Sequence, residues 1–188
     1  MWKKLIALSS MTFLLSGCGL FGMFEEEQQI PVAAPEALKA SANIMDTEGN
    51  EIGHMELTEG TDGILISLGL TKLSEGEHGI HIHEVGKCEK PTFESAGAHF
   101  NPLEKQHGFD NPKGPHLGDL PNIEPEEDGT VQLEFVAKNI TLEPGMENSV
   151  LDGDGSAIII HEGPDDYKTD PAGNSGARIA CGVITSAK

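Results

Sequence analysis

The sequence predicts an all-β domain, an antiparallel sandwich or barrel of seven or eight short strands. Two observations lead to this prediction. Apolar and polar residues alternate with a period of two over several short stretches, and clusters of glycine, proline, asparagine and aspartate separate these stretches. No stretch beyond residue 36 has the 3.6-residue periodicity of an amphipathic helix. The length of 188 residues suits one domain with appendages.

Seven strands are predicted, over residues 37–46, 51–60, 61–73, 79–84, 129–142, 149–162 and 177–184. The first two form a hairpin around the turn residues TEGN. After the fourth strand, about 40 residues rich in Gly, Pro, Asn and His lack periodicity. An irregular loop of that length in a compact domain is typical of a functional segment. A second irregular loop precedes the last strand.

The N-terminus has the features of a secretion signal. Two lysines precede an apolar stretch, Leu5 to Leu15, that is too short for a permanent membrane-spanning helix. The tetrapeptide LSGC, which ends at Cys18, resembles the bacterial lipoprotein signal. We therefore predict a signal peptide over residues 1–17, followed by a lipidated Cys18 and a flexible linker over 18–36. An ordinary signal peptide cleaved nearby is the alternative.

The net charge restricts the partners of the protein. A formal charge of −19 repels nucleic acid and anionic lipid. We therefore predict no nucleic-acid partner, and a membrane attachment that depends on acyl chains rather than on a basic patch. The protein is expected to be exported and anchored on the extracytoplasmic face of the cell membrane.

The three cysteines fit an exported protein with one thiol left over after a disulfide. If Cys18 carries lipid, Cys88 and Cys181 remain to pair in an oxidising compartment. Two separate buried thiols are the alternative.

Candidate metal ligands are concentrated in the stretch Gly79–Asp119. His81 and His83 alternate with isoleucines in a predicted strand, so their imidazoles project from the same face. An H-x-H pair by itself is equally typical of a polar outer face, but His161 also ends an apolar strand and begins a loop. Imidazole is a common ligand of zinc and copper, and a metal site is therefore predicted. The candidates in the stretch are His81, His83, His99, His107, His116 and Asp119.

In this order, the motifs GIHIHE, SAGAHFNP, KQHG, HLGDLPN, HE-x-x-DD and G-x-RIACGVI resemble those of the copper/zinc superoxide dismutases. The resemblance extends over about residues 37–185, and the segments FESAG and DLPN are similar to the secreted lipoprotein branch in Gram-positive bacteria. It implies an eight-stranded antiparallel Greek-key β-barrel or sandwich over residues 37–188. A long metal-binding loop and a second, shorter active-site loop belong to that fold. Some members of the branch lack copper ligands, whereas every ligand position is filled here.

The resemblance implies one copper and one zinc per subunit, with His99 bridging the two metals. The implied copper ligands are His81, His83, His99 and His161, and the implied zinc ligands are His99, His107, His116 and Asp119. The implied reaction is the dismutation of superoxide to oxygen and hydrogen peroxide, with His99 as the residue that donates a proton. Members of the family occur as monomers and as homodimers, and the sequence does not decide between them.

Further residues receive roles from the same resemblance. Arg178 would attract the superoxide anion, and Asp165 would link a copper histidine to a zinc histidine, with its neighbour Asp166 as the alternative. Cys88 and Cys181 would form the family disulfide, which joins the metal loop to the last strand.

Three basic side chains lie outside these assignments. Lys168 is either an additional steering charge or a solvated lysine, His78 is expected to be structural and His54 to lie on the surface.

The sequence thus favours an extracytoplasmic, lipid-anchored copper/zinc superoxide dismutase. A non-enzymatic copper- or zinc-binding protein on the same fold is the alternative from another class. An adhesion-type sandwich without metals would leave the aligned ligands unexplained.

Overall fold

A computed structural model describes residues 36–187 of the chain. Eight strands are present, β1 (Lys39–Asp46), β2 (Glu51–Glu59), β3 (Gly63–Leu70), β4 (Ile80–His83), β5 (Val131–Lys138), β6 (Ala157–His161), β7 (Arg178–Val183) and β8 (Thr185–Ser186). A single 3₁₀ turn, Glu94–Ala96, is the only helical element in this part of the chain. No helix among the described residues is long and apolar enough to cross a membrane.

All eight strands belong to one antiparallel, curled sheet with the order β4-β6-β7-β1-β2-β3-β5, and β8 pairs with β1. Consecutive strands from β3 to β6 are not neighbours, as in Greek-key connections. The predicted all-β antiparallel fold is therefore confirmed. The edge of the sheet that begins with β4 matters most for function, because β4, β6 and β7 lie side by side there.

The core follows the alternation seen in the sequence. In β3, Ile64, Ile66, Leu68 and Leu70 are buried, whereas Leu65 is 39% exposed. Burying one such aliphatic side chain contributes about 1.5–3 kcal/mol relative to leaving it in water. The repeated period of two therefore fixes which face of each strand packs inward.

Strands β4 and β6 depart from this alternation, because every residue in both strands is buried. Ile158 and Ile160 pack into the main core, whereas Ile159 packs on the opposite side against Phe93 and Cys181. The outer side of these strands is covered by two loops, which we call loop A (residues 84–130) and loop B (residues 162–177). The histidine-bearing strands are thus enclosed on both faces.

Some of the sequence predictions need correction, and others concern residues that the structure does not describe. Strand β6 begins at Ala157 rather than at residue 149, because the segment 149–156, rich in Asp and Gly, forms turns instead. The short β8 was not predicted, since two residues carry no periodic signal. The predicted signal peptide, Cys18 and the linker up to residue 35 lie outside the described residues.

Candidate metal centre

Loop A returns to β4 and pairs with it, which brings distant ligands together. Ile82 N–H donates to the carbonyl of Gly118 over 2.9 Å, and Phe100 N–H donates to the carbonyl of Ile82 over 2.8 Å. Two isolated β-bridges result, one between His83 and His99 and one between His81 and Asp119. The backbone itself therefore sets candidate ligands of the loop opposite candidate ligands of the strand.

A first cluster joins the two β4 histidines to one from loop A and one from the end of β6. The ligand atoms of His81, His83, His99 and His161 all lie within 4.8 Å of one another, and the four residues are buried. One nitrogen of each ring has no hydrogen-bond partner, namely His81 Nδ1, His83 Nε2, His99 Nε2 and His161 Nε2. A buried polar atom without a partner costs about 1–3 kcal/mol, so four of them together indicate a ligand that the protein itself does not provide.

The other nitrogen of most of these rings is fixed by the protein. His83 Nδ1 lies 3.0 Å from the carbonyl oxygen of Gly97, and His161 Nδ1 lies 3.3 Å from that of Gly176. A ring nitrogen that donates to a carbonyl leaves the other as a lone-pair donor. The unpartnered nitrogens are therefore the atoms that could bind a metal.

A second cluster surrounds the carboxylate of Asp119. Its Oδ1 lies 2.9 Å from His99 Nδ1, 3.1 Å from His107 Nδ1 and 3.3 Å from His116 Nδ1. Oδ2 accepts hydrogen bonds from the backbone N–H groups of Gly108 and His116. His116 Nδ1 makes no hydrogen bond despite its position, so a cation at the centre of these atoms would satisfy it.

His81 also approaches the second cluster, because its ligand atoms lie within 4.8 Å of those of His99, His107 and Asp119. However, His81 Nε2 donates to Asp165, and its free Nδ1 belongs to the first cluster. We therefore assign His116 rather than His81 to the second cluster. His99 contributes Nε2 to the first cluster and Nδ1 to the second.

Asp165 in loop B connects the two clusters. Its Oδ2 accepts a hydrogen bond from His81 Nε2 over 2.8 Å, and its Oδ1 accepts one from His107 Nε2 over 2.9 Å. Asp166 is exposed instead, and its carboxylate accepts hydrogen bonds from Lys168 N–H and neighbouring groups within loop B. Of the two candidate aspartates, the structure thus places Asp165 between the histidines.

Comparison with known proteins gives the origin of this arrangement. Residues 51–184 match the family model of copper/zinc superoxide dismutase (SODC). The chain belongs to the copper/zinc superoxide dismutase family. A relative from Aquifex aeolicus, superoxide dismutase [Cu-Zn] 2, is 49% identical over 82% of this chain and 91% of its own length. The superoxide dismutase-like protein YojM of Bacillus subtilis is 43% identical over 96% of this chain and 95% of its own length.

Solved structures of the family agree with the fold. The crystal structure of a SOD-like protein from Bacillus subtilis aligns with a TM-score of 0.75 at 48% identity, covering 76% of this chain and 96% of that chain. A double mutant of that protein, with a tyrosine and a proline replaced by histidine, aligns equally well. The Cu/Zn superoxide dismutase from Brucella abortus aligns with a TM-score of 0.64 at 30% identity, covering 78% and 99%.

The donor sets fit the two metals of the family. The first cluster offers nitrogen alone, which suits Cu(II), and the second offers three imidazoles with one carboxylate, which suits tetrahedral zinc. The ring of His99 faces both sites, because its Nε2 lies in the first cluster and its Nδ1 in the second. The residues present therefore match copper in the first cluster and zinc in the second.

Burial keeps most of the first cluster neutral. It lowers the pKa of His83 to about 2, with further lowering by the charges of His99 and Arg178. It also lowers the pKa of His161 to about 3 and that of His99 to about 4. Neutral imidazole is the form that binds a metal, so these rings are in the binding form at neutral pH.

The second cluster has the opposite electrostatics. Burial opposes charge on His107, but hydrogen bonds to Asp119 and Asp165 outweigh it and raise the pKa of His107 to about 9. Burial also opposes charge on Asp119, yet the surrounding histidines hold the pKa of its carboxyl far below the ordinary range. The same carboxylates would favour a divalent cation in place of the proton.

Arg178 is linked to the first cluster by hydrogen bonds to the backbone of loop A. Its guanidinium donates to the carbonyl of Phe93 over 2.7 Å and to that of Gly97 over 2.8 Å. The Gly97 carbonyl also accepts the hydrogen bond of His83, so one peptide group orients both side chains. Burial lowers the pKa of Arg178, and Glu94 counteracts this. A cleft beside Arg178 is lined by Thr47, Thr92, Glu94 and Glu162.

The predicted disulfide is confirmed. Cys88 in loop A is bonded to Cys181 in β7, with a Cα–Cα distance of 5.7 Å. Cys181 packs against Phe93, whose carbonyl holds Arg178. The cross-link therefore anchors the segment of loop A that orients the guanidinium.

The remaining basic residues have other roles. His78 is buried and its Nδ1 donates to the carbonyl of His161 over 2.8 Å, whereas His54 is exposed and lies 2.8 Å from the amide oxygen of Asn43. Lys168 is exposed on loop B.

Sequence reasoning missed three contributors around Asp165. They are Asn122 and Tyr167, which bond to Asp165 or to each other, and Gly173, which packs against its carboxylate. None of them is a histidine, cysteine or carboxylate, the residue types that mark copper and zinc sites, so no signal in a single sequence points to them. The Gly97 carbonyl was missed for the same reason.

Proposed function

We propose that the protein catalyses the dismutation of superoxide at a copper site that His99 joins to a zinc site. The observation that carries the proposal is the group of four buried imidazole nitrogens without partners. Their position beside the guanidinium of Arg178 supports it, because a cation near the metal suits an anionic substrate. Relatives named superoxide dismutase, up to 49% identical, support the same reaction.

Two superoxide anions and two protons would give one oxygen molecule and one hydrogen peroxide molecule. Copper, when bound, would supply the change of oxidation state that lets one superoxide lose an electron and another gain it. The protein's own residues would bind the anion, exclude other reactions and deliver protons.

Arg178 would attract and orient the substrate. Its guanidinium is held by two backbone carbonyls and needs no reorganisation when an anion arrives. The formal charge of −19 opposes the approach of any anion, so a fixed local cation matters more here than in a neutral protein.

His99 would carry a proton at Nε2, the nitrogen that faces the first cluster. Its Nδ1 remains in the second cluster beside Asp119, so the ring keeps its orientation while Nε2 gains or loses a proton. Asp165 would keep His81 and His107 in the tautomers that both sites require.

We also propose that the protein acts outside the cytoplasm, attached to the membrane through lipid on Cys18. The LSGC motif supports this location. The disulfide between Cys88 and Cys181 supports it as well, because such bonds persist in oxidising compartments.

A metal-binding protein without dismutase activity is the second candidate. A relative 43% identical over nearly the whole chain is named superoxide dismutase-like, which favours this alternative. The complete set of histidines in the first cluster, together with Arg178, favours the enzyme.

The two candidates are separated by metal analysis of the purified protein alongside a dismutase assay. The enzyme should contain copper and zinc, accelerate superoxide decay and be inhibited by cyanide. Protein that contains zinc without copper even after copper is supplied, or copper without activity, would refute the proposal.

A further inference from the structure

Tyr167 in loop B lies at the junction of the two loops that enclose the metal centre. Its phenol oxygen accepts a hydrogen bond from the backbone N–H of Asn122 in loop A over 2.6 Å. Its carbonyl accepts another from Asp110 N–H over 2.9 Å, and its ring packs on Phe109 with a centroid distance of 5.5 Å. One residue thus joins loop B to loop A at three points.

The same residue contacts the aspartate that links the two clusters. Tyr167 N–H donates to Asp165 Oδ1 over 2.7 Å, the oxygen that also accepts from His107. The backbone at Tyr167 is left-handed, with a φ of 59°. Such a conformation is unfavourable for a bulky residue and persists where surrounding contacts determine it.

Asn122 holds the backbone of Asp165 in a reciprocal way. Its amide Nδ2 donates to the Asp165 carbonyl, and its Oδ1 accepts from Asp165 N–H, both over 2.9 Å. The phenol of Tyr167 therefore bonds to the residue that fixes the Asp165 backbone, while its own N–H fixes the Asp165 side chain. These hydrogen bonds together hold both the backbone and the side chain of Asp165 in one orientation.

We propose that Tyr167 is a positioning residue. It holds loop B against loop A and thereby fixes the orientation of the His81 and His107 rings through their hydrogen bonds to Asp165. The phenol oxygen is the group that matters, because it accepts the hydrogen bond of the Asn122 backbone N–H. The inference rests on the metal sites of the proposed function, but the geometry of the histidines can be tested without metal.

The test is Tyr167→Phe in the full-length protein, which removes the oxygen and keeps the ring against Phe109. Zinc affinity is measured by competition with a chromophoric chelator. We expect it to fall by about tenfold, the low end of the range of roughly 10–100-fold found when a partner of a metal ligand is removed. The unfolding free energy of the metal-free protein is measured in parallel by denaturant titration.

A second measurement reports on the histidines themselves. In the metal-free protein, the Nε2–H protons of His81 and His107 are hydrogen-bonded to Asp165 and should give protected imidazole signals in NMR spectra. In Tyr167→Phe these signals should broaden or exchange faster. A residue that only stabilised the fold would leave them unchanged.

The matched control is Thr141→Val, which removes a hydroxyl bonded to Glu59 over 2.8 Å, away from both loops. It should lower the unfolding free energy and leave zinc affinity and the imidazole signals unaltered. Unchanged zinc affinity and unchanged signals in Tyr167→Phe would overturn the inference, whatever happens to stability. If the unsubstituted protein binds no zinc, the proposed function fails, and the imidazole signals still decide the role of Tyr167.

Discussion

Acid should destabilise the metal-free protein strongly, because its first cluster buries neutral imidazoles. The pKa of His83 is lowered to about 2, that of His161 to about 3 and that of His99 to about 4, each mainly by burial. Below the ordinary pKa of 6.5, the unfolded chain binds a proton at each of these rings and the folded protein does not. Lowering the pH therefore favours unfolding.

The magnitude follows from the width of that interval. One pH unit corresponds to about 1.4 kcal/mol per proton, so each ring costs about 2 kcal/mol between its ordinary pKa and pH 5. The three rings together cost about 6 kcal/mol, which is comparable with the whole stability of many domains. His107 acts in the other direction: with its pKa raised to about 9, its contribution is complete below about 6.5 and is lost as the pH rises through 9.

The assay is denaturant unfolding of metal-free protein at pH 7, 6 and 5. His161→Gln should remove about a third of the pH dependence, whereas His54→Gln, at an exposed position, should leave it unchanged. A free energy of unfolding that changes by less than about 1 kcal/mol between pH 7 and pH 5 would refute the reasoning. Bound copper should raise the free energy of unfolding at each pH but leave the dependence in place, because the unfolded chain still takes up these protons.

Substitutions at four further positions test other parts of the structure. His99→Ala should abolish copper-dependent activity and weaken zinc binding together, and metal analysis that finds only one metal affected would contradict a shared ring. Arg178→Ala should reduce the dismutation rate on the order of tenfold and flatten its salt dependence with metal content intact, whereas Arg178→Lys should retain part of the rate. Gly173→Ala should destabilise the fold by about 2 kcal/mol or more in thermal unfolding, since at a φ of 61° an added Cβ would overlap the carboxylate of Asp165. Cys18→Ser should release the protein into the medium, and retention in the membrane fraction would argue against the lipid anchor.

The strands were predictable where one face is buried and the other is solvated. The hairpin of β1 and β2 and the long β3 and β5 have that property, and their bounds agree with the sequence prediction to within a few residues. Strand β6 was extended too far, because its apolar residues follow a turn rich in Asp and Gly that alternation alone does not exclude. The pairing of β8 with β1 depends on tertiary contact and leaves no local pattern.

The candidate site was predictable to the extent that ligands have distinctive side chains. Histidines with metal-ligand chemistry stand out in a sequence, whereas a peptide carbonyl such as that of Gly97 does not. The decision between Asp165 and Asp166 required coordinates, because adjacent residues in a loop have no fixed direction. The left-handed backbone at Tyr167 and the return of loop A along β4 arise from packing of distant segments, which no local propensity encodes.

The place of Tyr167 has a practical consequence. It is the only tyrosine in the chain, and the only tryptophan, Trp2, precedes the predicted cleavage site. A processed protein would therefore emit ultraviolet fluorescence from a single phenol, which sits where the two loops meet. Its intensity should report loop closure as metal is added or withdrawn, so the molecule carries its own optical probe of the metal centre.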